Sequence, residues 1–289
     1  MTLEYRQVQP PEGINSSKEH PLKEFGLLLA AVFLFIVVVI VSLGLAAHLL
    51  VPFIPFSAEQ KMADMFVSQF KDEHVAPDDA AMTRYLQTLA QRVAMAEGVP
   101  DGITITVHYI NDETVNAFAT LGGHLFFFRG LLQKMPDENA LAMVMAHEIA
   151  HVKYRHPIRS LGRSVITGTA IAVVSSAAGG SIVGDVLGST GLLTALKFSR
   201  DQEQQSDETA LQTLAQLYGH VAGANTLFNV LEQLQESGGQ PPEFFNSHPQ
   251  TANRIENIAA MADKQNWPTT GTITPLPPEF GSWLKQTGQ

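Results

Sequence analysis

The sequence predicts an α+β domain, mainly helical with a small β-sheet, preceded by one transmembrane helix. Three observations predict this class. Residues 26–47 carry no charge and are almost all apolar, apolar residues recur at helical spacing through much of the later chain, and residues 103–110 are β-branched and alternate as in a strand. A chain of 289 residues is long enough for one sizeable domain with an accessory segment, or for two small domains.

The first apolar stretch predicts an uncleaved membrane anchor over residues 26–51. Its length matches the hydrocarbon core of a bilayer, and Pro52 and Pro55 follow it. A buried soluble helix would have a polar face, and a cleaved signal peptide would have a shorter apolar core. Residues 1–25 are polar and predict a disordered tail. Three basic residues precede the span and two follow it closely, which favours a cytoplasmic tail and an external domain.

Several elements are predicted between the anchor and residue 128. Residues 59–75 and 78–96 have helical periodicity, and residues 103–110 form a strand. Residues 115–119 and 124–128 flank Gly122 and Gly123, a pattern that predicts a β-hairpin or two adjacent strands.

A helix that begins after Pro136 carries the most informative motif. Asp137 is placed to cap it. One apolar stripe is predicted to pack against the core, consisting of Leu141, Met145, Ile149 and Val152. His147 and His151, four residues apart, share a face turned away from that stripe.

The C-terminal half contains further helices and one ambiguous stretch. Residues 164–196 are weakly polar and rich in Gly, Ala and Ser, which leaves open a second span, a hairpin dipping into the bilayer, a packed segment or a mobile loop. Residues 200–217, 221–236 and 250–263 are predicted to be helical. The folded domain is predicted to cover residues 59–265, and residues 266–289 to form an irregular tail.

Composition excludes some classes of function. The chain has no cysteine, which rules out disulfides, thiolate nucleophiles and cysteine-based zinc sites, so His, Asp or Glu must hold any metal. The net charge is −10 and no Lys/Arg run is present, which argues against nucleic-acid binding.

His147-Glu148-Ile149-Ala150-His151 is an H-E-x-x-H motif and predicts a zinc site. Two histidines at i and i+4 direct their imidazoles to one point, at a separation that suits tetrahedral zinc. Glu148 lies beside them and can accept a proton from a water that the metal has made acidic. The opposing interpretation is that these are ordinary surface or core side chains.

A catalytic zinc site needs a third protein ligand and one open position. His156 cannot converge with His151 on an unbroken helix, because five residues turn the side chain by roughly 140°. The metzincin pattern fails because Pro157 stands where a histidine is required. Glu203 and Asp207 share a helical face, so Glu203 could bind the metal while Asp207 accepts an N–H from a ligand histidine. Two nearby acidic residues, Asp201 and Glu208, leave the identity of the third ligand open.

Five blocks of sequence occur in a fixed order between residues 80 and 262. They are Asn116–Thr120 with Gly122 and Gly123, Arg129–Leu132, Ala146–His151 with Arg155 and His156, Ser199 and Arg200 with Glu203 and Asp207, and Ser247–Pro249 with Arg254. This set resembles the gluzincin family of the CaaX prenyl protease and the HtpX-type membrane proteases. The H-E-x-x-H block alone is shared by many zincins.

The resemblance implies a zincin-type metallopeptidase with one zinc ion per chain and protein or peptide substrates. It implies Glu203 as third ligand, Asp207 as the partner behind the ligands, and Arg200 and Arg254 in ion pairs near the site. His248 would face the site and stabilise an oxyanion or regulate access to the metal. Asn116, Gly123 and the strand that starts at His124 resemble an edge to which a peptide adds as a strand.

Two departures from the family pattern are Leu121, where proline is frequent, and Ser206, where alanine is frequent. The many spans of the prenyl protease are absent, so single-anchor members acting in envelope protein quality control are the closer comparison. This predicts a single-pass protein, anchored in the lipid bilayer through residues 26–51, in a bacterial inner membrane with a periplasmic domain. The alternatives are a non-catalytic metal-binding chaperone or scaffold with a closed four-ligand site, and a membrane adaptor whose motif is coincidental.

Overall fold

The computed structural model describes residues 21–74, 80–175, 197–236, 243–244, 248 and 254–284. The chain divides into two compact units, Met1–Leu43 and Gly44–Gln289. Helix α1, Pro21–Leu50, begins five residues before the predicted span. Within helix α1, the segment Leu22–Ser42 is long and apolar enough to cross a membrane. Most of the large apolar side chains of this segment are exposed. The predicted tail before residue 21 lies outside the described residues.

The second unit is mainly helical, as predicted. Short 3₁₀ turns lie at Val51–Phe53 and Leu121–Gly123. Its described helices are α2 Phe56–His74, α3 Ala80–Glu97, α4 Arg129–Leu132, α5 Glu138–Lys153, α6 His156–Ser175, α7 Arg200–Tyr218, α8 Thr226–Glu236, α9 Arg254–Gln265 and α10 Phe280–Trp283.

Three short strands form the sheet in the order β1-β3-β2. They are β1 Thr106–Ile110, β2 Ala117–Ala119 and β3 His124–Phe128. Strand β3 is central, because it pairs in parallel with β1 and antiparallel with β2. The predicted pair of strands around two glycines is therefore confirmed. A Cβ on Gly123, where φ is +81°, would lie 2.0 Å from the carbonyl oxygen of Thr104, so this turn requires glycine.

Both faces of the sheet are buried. Leu125 and Phe127 of β3 belong to the larger hydrophobic cluster, to which α3, α5 and α7 contribute. Phe126 and Phe128 alternate with them and belong to a smaller cluster with residues of α2 and α6. A helical layer therefore covers each face, and one of them carries the H-E-x-x-H motif.

Helix α5 is buried all the way round, from Glu138 to Val152. The predicted apolar stripe is buried, but the opposite face is buried too, so the histidine face looks into the protein. The predicted cap is confirmed: Asp137 Oδ1 accepts a hydrogen bond from the backbone N–H of Ala140 at 2.8 Å. The buried polar side chains of α5 must therefore find partners on other elements.

The predicted helices of the C-terminal half are confirmed with shifted bounds. Helix α7 starts with a capping box between Ser199 and Gln202 and ends at Gly219, where φ is +75°. Helix α8 begins five residues later than predicted, after a turn at 222–225. Of the ambiguous stretch 164–196, the first part continues α6 to Ser175, and residues 176–196 lie outside the described residues.

The segment after α9 has irregular backbone up to the short helix α10, and it packs on the domain. Glu138 N–H donates to the carbonyl oxygen of Thr274 at 2.9 Å, and Thr274 N–H donates to Asn139 Oδ1 at 2.8 Å. Phe280 and Leu284 are buried in the larger cluster. Folded structure therefore extends beyond the predicted boundary at residue 265 and holds the first turn of α5.

Candidate metal centre

Two helices bring the predicted site residues together. Helix α5 packs against α7 more extensively than any other two described elements pack. His147 and His151 are one turn apart on α5, and Glu203 and Asp207 are one turn apart on α7. All four side chains are buried between the two helices.

The ligand atoms converge on one point. His147 Nε2 lies 3.0 Å from His151 Nε2. The Glu203 carboxylate lies 3.6 Å from His147 Nε2 and 3.5 Å from His151 Nε2. His248 adds a fourth donor, because its Nδ1 is 3.2 Å from His147 Nε2 and 3.1 Å from Glu203 Oε1. The four ligand atoms all lie within 4.8 Å of one another.

This donor set fits a zinc ion. Zinc with tetrahedral bonds of about 2.0–2.1 Å needs its ligand atoms roughly 3.3 Å apart. Five of the six separations among the donor atoms are 3.0–3.6 Å, and the sixth, between His151 and His248, is within 4.8 Å. Imidazole nitrogen and carboxylate oxygen are ligands that zinc accepts. The residues present can therefore hold the metal that the motif predicts.

The charges around the donors favour a cation. Burial alone would raise the pKa of Glu203, but His248 and His147 hold that pKa well below its ordinary value. Burial alone would lower the pKa of His147, but hydrogen bonds to Asp207 and Glu203 raise it to about 9. The carboxylate of Glu203 is therefore ionised. Its negative charge is balanced either by a proton on His147 or by a metal ion that takes the place of that proton.

Asp207 and Arg254 support the site from behind. Asp207 Oδ1 lies 2.9 Å from His147 Nδ1, where it accepts the N–H and leaves Nε2 free for the metal. Arg254 donates to both oxygens of Asp207, at 2.6 and 2.8 Å, and its Nη1 lies 3.0 Å from Glu203 Oε2. Burial alone would raise the pKa of Asp207, but Arg254 and His147 lower it.

His156 occupies a position that the sequence reasoning missed. The helix breaks after Lys153, Arg155 has a φ of +57°, and His156 Nδ1 lies 3.0 Å from His151 Nδ1. His156 therefore contacts the outer side of a ligand, not the metal position. Burial lowers its pKa to about 4, even though a hydrogen bond to Gln205 opposes this, so the ring is neutral near pH 7. Spacing excluded His156 as a metal ligand, and the pair Arg155-His156 in the matching blocks was the remaining sequence signal for a role at the site.

Two buried aromatic rings, also not anticipated, fix the orientation of the imidazoles. Phe198 stacks on His151 with ring centroids 3.8 Å apart, and Phe244 stacks on His248 at 4.4 Å. Such stacking limits the rotation of each imidazole, so the nitrogen lone pairs stay directed at the cluster.

Glu148 is fully buried beside the ligands. Neither carboxylate oxygen has a hydrogen-bond partner among the described residues, and His248 Nε2 lies 3.4 Å from Oε1. A buried carboxylate with free oxygens next to a metal site is arranged to accept a proton from water.

Some predicted residues take other positions. Arg200 is exposed at the start of α7 and forms no ion pair within the described part of the chain. His124 Nδ1 lies 2.9 Å from His108 Nε2, and Gly123 is buried in the turn against Thr104. The expectation that a peptide adds to β3 needs correction, because both edges of β3 are already paired; β2 is the strand nearer the site.

Comparison with known proteins decides the family. Residues 80–262, more than half of the chain, match the family model described as peptidase family M48. The chain belongs to peptidase family M48. This confirms the resemblance to HtpX-type metallopeptidases. The matched region contains the motif, Glu203, Asp207 and His248.

Curated relatives of this member of peptidase family M48 are named as proteases. It is 30% identical over 205 residues to the mitochondrial metalloendopeptidase OMA1 of Schizosaccharomyces pombe, covering 69% of this chain and 60% of that protein. It is 29% identical over 213 residues to OMA1 of Danio rerio, covering 68% and 44%. It is 28% identical over 221 residues to the beta-barrel assembly-enhancing protease of Escherichia coli, covering 71% and 44%. The chain thus spans about half the length of these relatives.

The carboxylate behind His147 generates a prediction. Changing Asp207→Asn weakens the acceptor for the His147 N–H and leaves Arg254 without its full counter-charge. We expect zinc affinity to fall about 10- to 100-fold, measured by competition with a chromophoric chelator on the detergent-solubilised chain.

The matched control is Asp201→Asn, an exposed carboxylate on the first turn of the same helix. It should bind zinc as the unchanged protein does. Equal affinity in both variants would show that Asp207 does not support the ligand.

Proposed function

We propose that this member of peptidase family M48 is a zinc-dependent endopeptidase that hydrolyses peptide bonds in proteins. One observation carries the proposal: the donor atoms of His147, His151 and Glu203 converge beside the unpartnered carboxylate of Glu148. The printed names of the relatives, metalloendopeptidase and protease, support the same chemistry.

Each residue has a defined task in this reaction. His147, His151 and Glu203 would hold the zinc ion, and Asp207 with Arg254 would keep His147 and Glu203 in position. When bound, zinc supplies Lewis acidity, which polarises a carbonyl and lowers the pKa of water. Glu148 would accept the proton of the attacking water and deliver it to the leaving amine.

Strand β2 is the edge that suits an extended peptide. It pairs with β3 on one side, and no described strand occupies its other side. Asn116, directly before β2, is buried, and its Oδ1 has no hydrogen-bond partner among the described residues. That oxygen could accept an N–H from a peptide aligned along β2. Because β2 is buried as well, substrate entry would require the covering chain to move.

His248 favours a second candidate function. The family resemblance implied that His248 stabilises an oxyanion or regulates access to the metal. In the structure its Nδ1 is a fourth donor, and a closed four-ligand zinc site is typical of a structural metal. The second candidate is therefore a metal-stabilised scaffold or chaperone of the same fold. For the endopeptidase to act, His248 would have to leave the cluster and open that position.

The apolar helix supports membrane anchoring. Leu22–Ser42 satisfies the length and hydropathy of a span, and its side chains are exposed to whatever surrounds the helix. We infer a single-pass protein with its peptidase domain on the periplasmic side of a bacterial inner membrane, where it would act on proteins of the envelope. Orientation rests on the excess of basic residues before the span.

Glu148→Gln tests the proposed chemistry. The amide keeps the size of the side chain but does not accept the proton from water, so casein degradation should fall by at least about 100-fold. Zinc content should stay at one ion per chain, because Glu148 is not a ligand.

Glu208→Gln on the exposed side of α7 is the matched control and should retain full activity. Proteolysis by Glu148→Gln at the unchanged rate would contradict the assigned role.

His248→Ala separates the two candidate functions. If His248 closes the site of an endopeptidase, its removal should raise casein degradation several-fold while zinc stays bound through the three other ligands. A structural site would instead lose zinc affinity and gain no proteolysis. Side-by-side metal analysis and casein digestion distinguish these outcomes.

External protease digestion of sealed, right-side-out inner-membrane vesicles tests the orientation. The domain should be degraded from outside, since it lies beyond the span, while a tag placed before residue 21 should stay protected. A protected domain and a cleaved tag would reverse the topology.

A further inference from the structure

The two ligand imidazoles of α5 have different partners at their outer nitrogens. His147 Nδ1 meets the carboxylate of Asp207 at 2.9 Å. His151 Nδ1 meets the imidazole of His156 at 3.0 Å, and the other nitrogen of His156 lies 3.1 Å from Gln205 Oε1. A row of three side chains therefore runs from the metal position outward through His151 and His156 to Gln205.

Hydrogen-bond chemistry gives this row a direction. An amide oxygen only accepts, so His156 Nε2 must carry the hydrogen that Gln205 receives. In a neutral imidazole the other nitrogen is then an acceptor, so His156 Nδ1 accepts from His151 Nδ1–H. His151 Nε2 is consequently left with a lone pair, and this is the atom that lies 3.0 Å from His147 Nε2.

The reverse direction is incompatible with metal binding. If His156 donated from Nδ1, His151 would carry its own hydrogen on Nε2, and that hydrogen would point at the metal position. Either tautomer satisfies the hydrogen bond between the two rings. Only the acceptor offered by Gln205 distinguishes them.

We propose that His156, oriented by Gln205, is a positioning residue that fixes the metal-binding tautomer of His151. The inference rests on the proposed function, since it assumes that zinc binds at this cluster. It gives a role to His156, which is neither part of the H-E-x-x-H motif nor a metal ligand.

The fold holds His156 firmly in this position. Arg155 has a φ of +57°, a left-handed conformation that is unfavourable for a residue other than glycine. Its guanidinium contacts Glu59 and donates to the carbonyl oxygen of Ile54 at 2.6 Å and to that of Val51 at 3.2 Å. These contacts maintain the sharp corner between α5 and α6 that turns His156 back onto His151.

The neutral partner also limits the charge of the site. Glu148, Glu203 and Asp207 place three buried carboxyl groups at the site, and Arg254 pairs with two of them, Glu203 and Asp207. A carboxylate in place of His156 would add a fourth acidic group, and burying a further charge is costly. An imidazole supplies the acceptor without that charge.

A matched pair of substitutions tests the proposal on the full-length chain in detergent. Leucine and asparagine have nearly the same size, but only asparagine keeps an acceptor oxygen close to the position of His156 Nδ1. We expect His156→Leu to lower zinc affinity about 10- to 100-fold and His156→Asn to stay within about threefold of the unchanged protein. Affinity is measured by competition with a chromophoric chelator, and thermal unfolding of each variant without zinc reports the packing loss that both share.

Gln205 provides an independent pair of variants. Gln205→Leu removes the acceptor and should lower zinc affinity. Gln205→Glu keeps an acceptor oxygen and should bind zinc as tightly as the unchanged protein. Gln204→Leu is the matched control, because Gln204 is exposed and bonds to Glu208 on the same helix. Equal losses in the leucine and asparagine variants at position 156, or no loss in either, would overturn the proposal.

The unmutated protein provides a direct readout that does not depend on variant folding. Long-range ¹H–¹⁵N correlations of the histidine-labelled, zinc-loaded chain should show His151 with its hydrogen on Nδ1 and His156 with its hydrogen on Nε2. A chain that binds no zinc at all would refute the proposed function. A chain that binds zinc while His156 carries its hydrogen on Nδ1 would refute this inference alone.

Discussion

The structure depends on the juxtaposition of helices α5 and α7. Each helix presents two side chains one turn apart, and close packing brings the pairs face to face in a buried space. Imidazole lone pairs and an ionised carboxylate at 3.0–3.6 Å repel one another unless a proton or a metal ion lies between them. Arg254, the sheet and the corner at Arg155 all serve to hold these donors against that repulsion.

The site requires much buried charge, and its arrangement explains how the fold tolerates it. Glu203 and Asp207 are both paired with Arg254, and Asp207 also binds His147. A buried network of this kind contributes little to net stability, because the desolvation of the charges offsets their attraction. The network instead specifies one arrangement of the site, because its hydrogen bonds fix the orientation of each side chain. Among the described residues, the oxygens of Glu148 have no hydrogen-bond partner, and they lie where a reaction with water is proposed.

The surrounding elements tie the site to the rest of the second unit. Arg155 follows the metal-binding helix directly and binds the segment between Val51 and Glu59, which comes immediately after α1. At the other end of α5, the segment around Thr274 bonds to Glu138 and Asn139. Both ends of the helix are therefore fixed by chain segments distant in sequence, which limits the movement of the ligands it carries.

Local patterns determined a large part of this protein. The apolar run of residues 26–47, the Asp137 cap, the strands around the two glycines and the i, i+4 pairs all follow from contacts within a few residues. The choice of Glu203 over Asp201 and Glu208 did not follow from spacing, because a helical face defines candidates but not what they face. Resemblance to a family narrowed that choice.

Tertiary structure decided the rest, for a physical reason. His248 lies 101 residues from His147 and 45 from Glu203, so only the folded chain brings them together. Helical periodicity could not place His156, because the backbone breaks at Arg155 and the face of a helix is undefined beyond its end. Nor could a strand pattern reveal that β3 is central, since pairing with β1 joins strands separated along the chain by β2. Sequence by itself determined which side chains can share a helix face. Packing determined which faces meet, because α5 is buried from Glu138 to Val152 and its polar side chains depend on partners that other elements bring to them.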